Sequence, residues 1–325
     1  MKQTESPLAK TGRMKSLLMQ TEVSIILIIA VLFIGATVGT ENFFSAYNLT
    51  NILKQSAIIG VIALAETCII ITGGIDISCG AIVGMSTLMV AMGQAQWGMG
   101  VFASLVIAIV MGILWGAFNA VLIYEFNVPA FVATLGTQTI VRGLIKKISN
   151  GGTISGIDKD FASFASTNFA FVPKLAVVWF GIAIILFLLL RYSIFGRNLF
   201  VLGSGQEVAK LNGISIRKMT YTAYAFAGLL YGIAGIMLAA RINSAIPTAG
   251  ETYETNAIAA SVLGGASLAG GAGSVPGTLL GTLLITLIDN VGTQFGIDTF
   301  TMQTVTGCVI VIAIVVDQLK KRRSR

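Results

Sequence analysis

The fold this sequence predicts is an all-α integral membrane protein of about ten transmembrane helices, with one short cytoplasmic helix between its halves. Three observations predict it. Apolar residues make up 55% of the 325 and charged residues only 11%, where a soluble domain is about a quarter charged. The apolar residues come in long blocks, as spanning helices require. The basic residues cluster at Lys2–Lys15, between Arg191 and Lys218, and at Lys320–Arg325. That is the pattern of cytoplasmic segments, with both termini inside. The formal charge of +7 therefore points to a membrane surface and not to nucleic acid.

In order along the chain, residues 1–20 read as a cytoplasmic tail. Residues 21–317 read as one polytopic transmembrane domain, with a cytoplasmic loop at 191–218, and residues 318–325 as a basic cytoplasmic tail. Val23–Thr40 is the first span; a cleavable signal peptide is the rival reading, but the run is long and further spans follow. Ile52–Ile71 returns inward and contains Glu66. The Thr72–Ser78 segment breaks that helix. Ala81–Ala95, Val101–Tyr124 and the weaker Pro129–Ile145, which carries Arg142, follow. Lys146–Val172 is the longest polar stretch outside, and Pro173–Leu190 leads back to the basic loop. The second half places spans at Met219–Ala240, Ala257–Ala269, Thr278–Val291 and Phe300–Val316. Of these Ala257–Ala269 is short enough to be re-entrant, against the roughly 20 residues a bilayer needs.

The basic loop contains Ser204 and Glu207 in a capping-box spacing. Lys210 falls in the last turn of the helix that spacing implies, and Gly213 can take the left-handed position after it. Val208 and Leu211 share a face. The reading is an amphipathic helix of two turns or fewer, too short to stand alone. Gly112/Gly116, Gly228/Gly232 and Gly277/Gly281 are small-xxx-small pairs that let helices approach closely.

Chemistry on this chain is limited. No Gly-x-x-x-x-Gly-Lys-[Ser/Thr] sequence occurs, so ATP hydrolysis is expected elsewhere. No metal-ligand spacing or nucleophile elbow occurs, and there is no histidine. Cys68, Cys79 and Cys308 sit in apolar blocks and read as small buried residues. Glu66, Asp76, Arg142 and Asp289 fall at membrane depth, where each costs roughly 2.5–3.5 kcal/mol on insertion scales. Glu66 reads equally as a pathway residue or as a carboxyl bonded to a neighbouring helix. Asp76 reads as a cap for the helix that follows. Thr67, Thr72, Asn119, Thr134, Thr137, Gln138, Asn256, Ser261 and Asn290 complete the set of polar candidates for a pathway.

Several stretches carry a family resemblance. Ile71-Thr-Gly-Gly-Ile-Asp-Ile-Ser-Cys-Gly80 resembles the Thr-Gly-Gly-Ile-Asp-Leu-Ser-Val-Gly hallmark of the ribose/xylose/arabinose-type sugar ABC importer permeases. Val128–Gly136, Pro247–Ala260 and Leu263–Gly273 are similar to further stretches of that family, and Gly203–Ile214 to its cytoplasmic loop. The resemblance runs from about Asn48 onward.

It implies a bacterial inner-membrane permease subunit that forms the path for a pentose or hexose. It also implies a cytoplasmic ABC ATPase that binds the ATP and magnesium, a periplasmic or lipid-anchored sugar-binding protein, and a second permease copy or a related permease. By the resemblance, Gly203, Ser204, Gln206, Glu207, Ala209, Lys210, Asn212 and Gly213 form the ATPase-coupling segment. Translocation candidates are Glu66, Thr72, Asp76, Asn119, Thr137, Asn256 and Asn290. The binding protein would dock on Thr153–Thr167 and Arg241–Glu254. The chain departs from the family at Gln206, Lys210, Asn212, Asn256 and Cys79, which leaves the particular sugar and ATPase open. A polyol, a sugar-like signal or a nucleoside is the alternative cargo. An ion-coupled secondary transporter using Glu66, Asp76 and Asp289 is the alternative mechanism.

Overall fold

The computed structural model describes residues 21–170 and 172–323; the expected tail at 1–20 lies outside the described residues. The first half contains α1 (Thr21–Gly39), α2 (Ala46–Ile71), α3 (Cys79–Ala95), α4 (Val101–Tyr124) and α5 (Ala130–Ile148). Between the halves come β1 (Ile154–Ser155), α6 (Lys159–Ser166), β2 (Asn168–Phe169), β3 (Val172–Pro173), α7 (Lys174–Tyr192), α8 (Ile194–Ser204) and α9 (Gln206–Leu211). The second half contains α10 (Ile216–Ile242), β4 (Ser244–Ala245), α11 (Tyr253–Leu263), α12 (Val275–Gln294) and α13 (Thr299–Arg323).

Each stretch read as a span contains a helix, but in Ala257–Ala269 the helix stops at Leu263 and the rest is turns. Six helices, α1, α2, α4, α7, α10 and α12, are long and apolar enough to cross a membrane among the described residues. The expected figure of about ten is not confirmed by that criterion, of which α3, α5 and α11 fall short. α3 is apolar but shorter. α5 carries Arg142, Lys146 and Lys147. α11 has 11 residues, about 16 Å of helix and roughly half of a hydrocarbon core. α13 runs without a break into the basic residues, to Arg323. Lysine and arginine are good helix formers and suit a helix C-terminus, so the tail drawn at residue 318 is not separated from the span by any change of backbone.

The polar stretch after α5 is also more ordered than its composition suggests. β1 pairs antiparallel with β4, Ile154 opposite Ala245, and β2 pairs with β3. Asp158 caps α6 by accepting from the Phe161 amide at 2.9 Å.

α10 is the central helix, packed on α2, α3 and α4. Lipid tails are as apolar as leucine, so helices in a bilayer gain little from burying apolar area against each other and depend on close contact and internal hydrogen bonds. Glycine supplies the contact. A β-carbon at Gly112 would strike the carbonyl of Gly228, and one at Gly116 the carbonyl of Tyr224. The third predicted pair, Gly277 and Gly281, meets the carbonyls of Gly264 and Ala260, clamping α12 on α11. Hydroxyls add bonds between helices: Thr87 Oγ1 donates to the Gly235 carbonyl at 3.0 Å, and Ser56 pairs with Thr286 at 2.6 Å. Cys68 and Cys79 are buried as expected, but Cys308 is exposed on α13.

Replacing Gly112 by alanine will lower stability by about 1–3 kcal/mol, the usual cost of overpacking. Gly181→Ala on α7, where an added β-carbon meets nothing within 4 Å, will leave it unchanged or slightly raised by helix propensity. Thermal unfolding of the two variants in detergent tests the difference.

Candidate functional site

The cytoplasmic-loop candidates form a compact junction. α7 ends at Tyr192, and Ser193 turns the chain: its hydroxyl accepts from the Gly196 amide at 3.1 Å and donates to the Leu189 carbonyl at 2.6 Å. α8 then buries Leu199 and Leu202, three residues apart on one face, in the main core. At its end Gly203 sits where a β-carbon would strike the Ile71 carbonyl and the Gly271 amide. Those two groups are themselves hydrogen-bonded at 2.9 Å. Gly270 adopts φ +83° and Gly73 φ +83°, and an added β-carbon at Gly270 would lie 2.6 Å from the Gly203 carbonyl and 3.1 Å from Gly73 Cα. Three segments therefore meet backbone to backbone: the end of α2, the end of α8, and the turn between α11 and α12.

α9 hangs from this junction. Gly205, at φ 145°, separates it from α8. The capping box expected between Ser204 and Glu207 does not form. Ser204 belongs to the last turn of α8 and donates to the Val201 carbonyl at 2.7 Å, so the N-cap of α9 is Gly205, without a side-chain bond. The other end behaves as expected. Gly213 is left-handed at φ +70°, the Ile214 amide reaches the Ala209 carbonyl at 2.9 Å, and Asn212 Nδ2 donates to the Val208 carbonyl at 2.8 Å. Ala209 is fully buried, whereas Val208 and Leu211 are 43% and 89% exposed. Gln206, Glu207 and Lys210 are exposed beside them. Among the described residues nothing covers Val208 and Leu211 on the apolar face of α9.

The translocation candidates separate into different places. Glu66, Asp76 and Asn119 come together with Ser78 and Tyr231, all fully buried. Tyr231 Oη donates to Glu66 Oε1 at 2.8 Å. The Ser78 hydroxyl donates to Asp76 Oδ1 at 2.5 Å and its amide does so at 2.9 Å, and Asn119 Nδ2 donates to the Ser78 hydroxyl at 2.8 Å. Asp76 thus closes a turn ahead of α3 and does not bond the helix's own first amides. Among the described residues, Glu66 Oε2, Asp76 Oδ2 and Asn119 Oδ1 have no hydrogen-bond partner.

Thr72 bonds back to the Ile69 carbonyl at 2.7 Å. Thr137 is buried on α5, its hydroxyl without a hydrogen-bond partner among the described residues. Asn290 forms a reciprocal pair with Asn48 of α2, at 2.8 and 3.1 Å, which ties α12 to α2. Asn256 alone of the seven lines a large polar cavity, between α11, α12 and α13. Arg142 is taken up by the Ala249 carbonyl at 2.6 Å. Tyr231 and the Gly203–Gly271 contact were not anticipated. Tyr231 lies 165 residues from its partner, and the glycine pairs at 73–74 and 270–271 were visible only as flexible points.

The sequence matches the family described as "Branched-chain amino acid transport system / permease component" over residues 48–314. Among similar proteins is the ribose import permease protein RbsC of Bacillus subtilis, 37% identical over 292 residues, covering 89% of this chain and 90% of the relative. RbsC of Escherichia coli K12 is 34% identical over 300 residues, covering 90% and 93%. The xylose transport system permease protein XylH of Haemophilus influenzae is 28% identical over 373 aligned positions, covering 96% and 99%. No solved structure matches.

Two outcomes follow from the geometry. Gly203→Ala will break the Ile71–Gly271 contact, so amide hydrogen exchange will speed up at residues 70–74 and 270–274 while α4 and α10 stay protected. Tyr231→Phe will cost about 1–3 kcal/mol by leaving a buried Glu66 oxygen without its donor, read as a lower unfolding midpoint in detergent.

Proposed function

This chain belongs to the family described as branched-chain amino acid transport system / permease component, and on that premise we propose that it is the membrane subunit of an ABC importer for a monosaccharide. The named relatives import ribose or xylose, and the cargo reading rests on them. The chain is a permease and not an enzyme. ATP and magnesium bind a separate cytoplasmic ATPase, in keeping with the lack of any Walker A sequence.

The observation that carries the coupling assignment is the state of α9. Val208 and Leu211 face outward at 43% and 89% exposure on a helix of six residues, too short to hold itself. Its base is fixed through Gly203 to α2 and to the α11–α12 turn. A short helix with an uncovered apolar face and a rigid base suits a groove on a partner. Rigid-body motion of that partner would pass through the junction, a coupling of two global states.

The positive-inside pattern supports a cytoplasmic location for this junction and both termini in a bacterial inner membrane. On the opposite side, β1 and β4 join the two stretches read as the docking surface for a soluble sugar-binding protein. The exposed apolar sides of the outer helices meet lipid and a second permease, whether a copy or a relative.

Val208→Asp combined with Leu211→Asp will abolish co-purification of the P-loop ATPase and reduce ATP-driven sugar uptake to background, with the unfolding midpoint of the permease unchanged. Retained ATPase binding by the double variant would reject α9 as the docking element.

A further inference from the structure

We propose that the cavity between α11, α12 and α13 is a cargo station within a single subunit, built to take the hydroxyl groups of a neutral monosaccharide, with Asp289 as its principal acceptor. This deepens the importer reading and rests on it. The cavity has a volume of about 520 Å³, inside the range of about 300–1,000 Å³ typical of small-molecule sites. It lies where α12 ends and α13 begins, and it is lined by Gln55 of α2, Asn256 of α11, Asp289 of α12, and Gln303 and Thr306 of α13. Asp289 is five residues before the end of α12 and Thr306 seven residues into α13, so the cavity reaches about 8–10 Å below the helix ends at 1.5 Å per residue. By the positive-inside pattern these ends face outward.

The chemistry of the lining selects among cargoes. Its side chains offer carboxylates, carboxamides and hydroxyls, and among the described lining residues none is Lys or Arg. An amino acid would bring a carboxylate to Asp289 and Asp298 with no lysine or arginine among the described lining residues to meet it. A sugar brings hydroxyl donors instead. Asp289 has capacity for them: its protein partners are long, Asn256 Nδ2 at 3.5 Å and Thr306 Oγ1 at 3.4 Å, and among the described residues no lysine or arginine pairs with it. A carboxylate accepts two adjacent hydroxyls at once, while Asn256, Gln55 and Gln303 can donate as well as accept. Among the described lining residues there is no aromatic ring, so they provide no stacking platform. Binding is then weak enough for release, as a transit site requires.

The remaining rival is a cation or amine held by Asp289 and Asp298, and the test separates the two. Thr293→Cys, at the rim of the cavity, is introduced into the full chain with Cys308 changed to Ser, and native membranes carrying the whole transporter are treated with a membrane-impermeant maleimide. D-ribose and D-xylose are expected to slow labelling about tenfold at ten times their dissociation constant, since about a tenth of the sites then stay free. Leucine, sodium chloride and choline chloride are expected to have no effect. Asp289→Leu will remove the protection, and Asp289→Asn, which keeps one acceptor oxygen and the shape, will retain part of it. Protection by sodium or choline, by leucine, or by no compound overturns the station. ATP-driven uptake is measured in the same membranes: uptake without protection rejects the station alone, and protection without ATP dependence rejects the importer reading alone.

Discussion

The hydrogen bond from the Gly271 amide to the Ile71 carbonyl, at 2.9 Å, is the contact on which the functional architecture turns. Ile71 is the last residue of α2, where a helix leaves carbonyls without partners. Inside a membrane protein such a group needs a donor from the protein, and here it comes from a turn 200 residues away. The bond is possible only because Gly203 presses on both groups without a β-carbon. One unsatisfied carbonyl, three glycine-containing segments and the base of α9 are thus settled together. Glycine is used the same way deeper in the bundle, where α4 and α10 touch through Gly112 and Gly228. In both places close approach of backbones does what apolar burial does in water.

The polar residues at membrane depth divide by how their hydrogen bonds are spent. Thr67, Ser261 and Thr278 bond one another or nearby carbonyls. Asn48 and Asn290 spend their amides on each other. These groups hold helices together and have little left for a passing solute. Glu66 and Asp76 keep free oxygens but are sealed from solvent on every side. They are best understood as core groups organised by Tyr231 and Ser78. Asp289 differs from both kinds: its two partners are at the outer limit of hydrogen bonding and its surroundings are open.

Sequence signals decide structure where the physics is local. Gly213 after a six-residue helix took the left-handed conformation expected of it, because only the next few residues decide a C-terminal turn. The three glycine pairs marked real contacts, since a small residue every fourth position has few other uses in a membrane helix. The capping box failed for a reason the local pattern does not contain. Ser-x-x-Glu fits a helix start, but Gly205 breaks the chain one residue later and α8 claims Ser204. Glu66 stood out by its cost in lipid, yet its partner Tyr231 carries no such mark, because tyrosine on a membrane helix is ordinary. Asn256 and Asn290 looked alike in sequence and have opposite fates, decided by whether an Asn48 lies across the interface.

The cavity and the Gly203 junction are joined through α11 and α12. Asn256 stands near the start of α11, and eight residues past that helix's last residue the chain reaches Gly271 at the junction. α12 leaves the same turn, capped by Ser274 on the Gly277 amide at 3.1 Å, and carries Asp289 to the cavity wall. Gly277 and Gly281 lock the two helices to each other. α11 and α12 therefore form one stiff unit with the cavity at one end and the Gly203 contact at the other. Close-packed backbones transmit displacement because they have no compressible side chains between them. Under the proposed coupling, a small shift at α9 would change the distance between Asn256, Asp289 and the facing wall on α13, loading a weak site in one state and emptying it in the next.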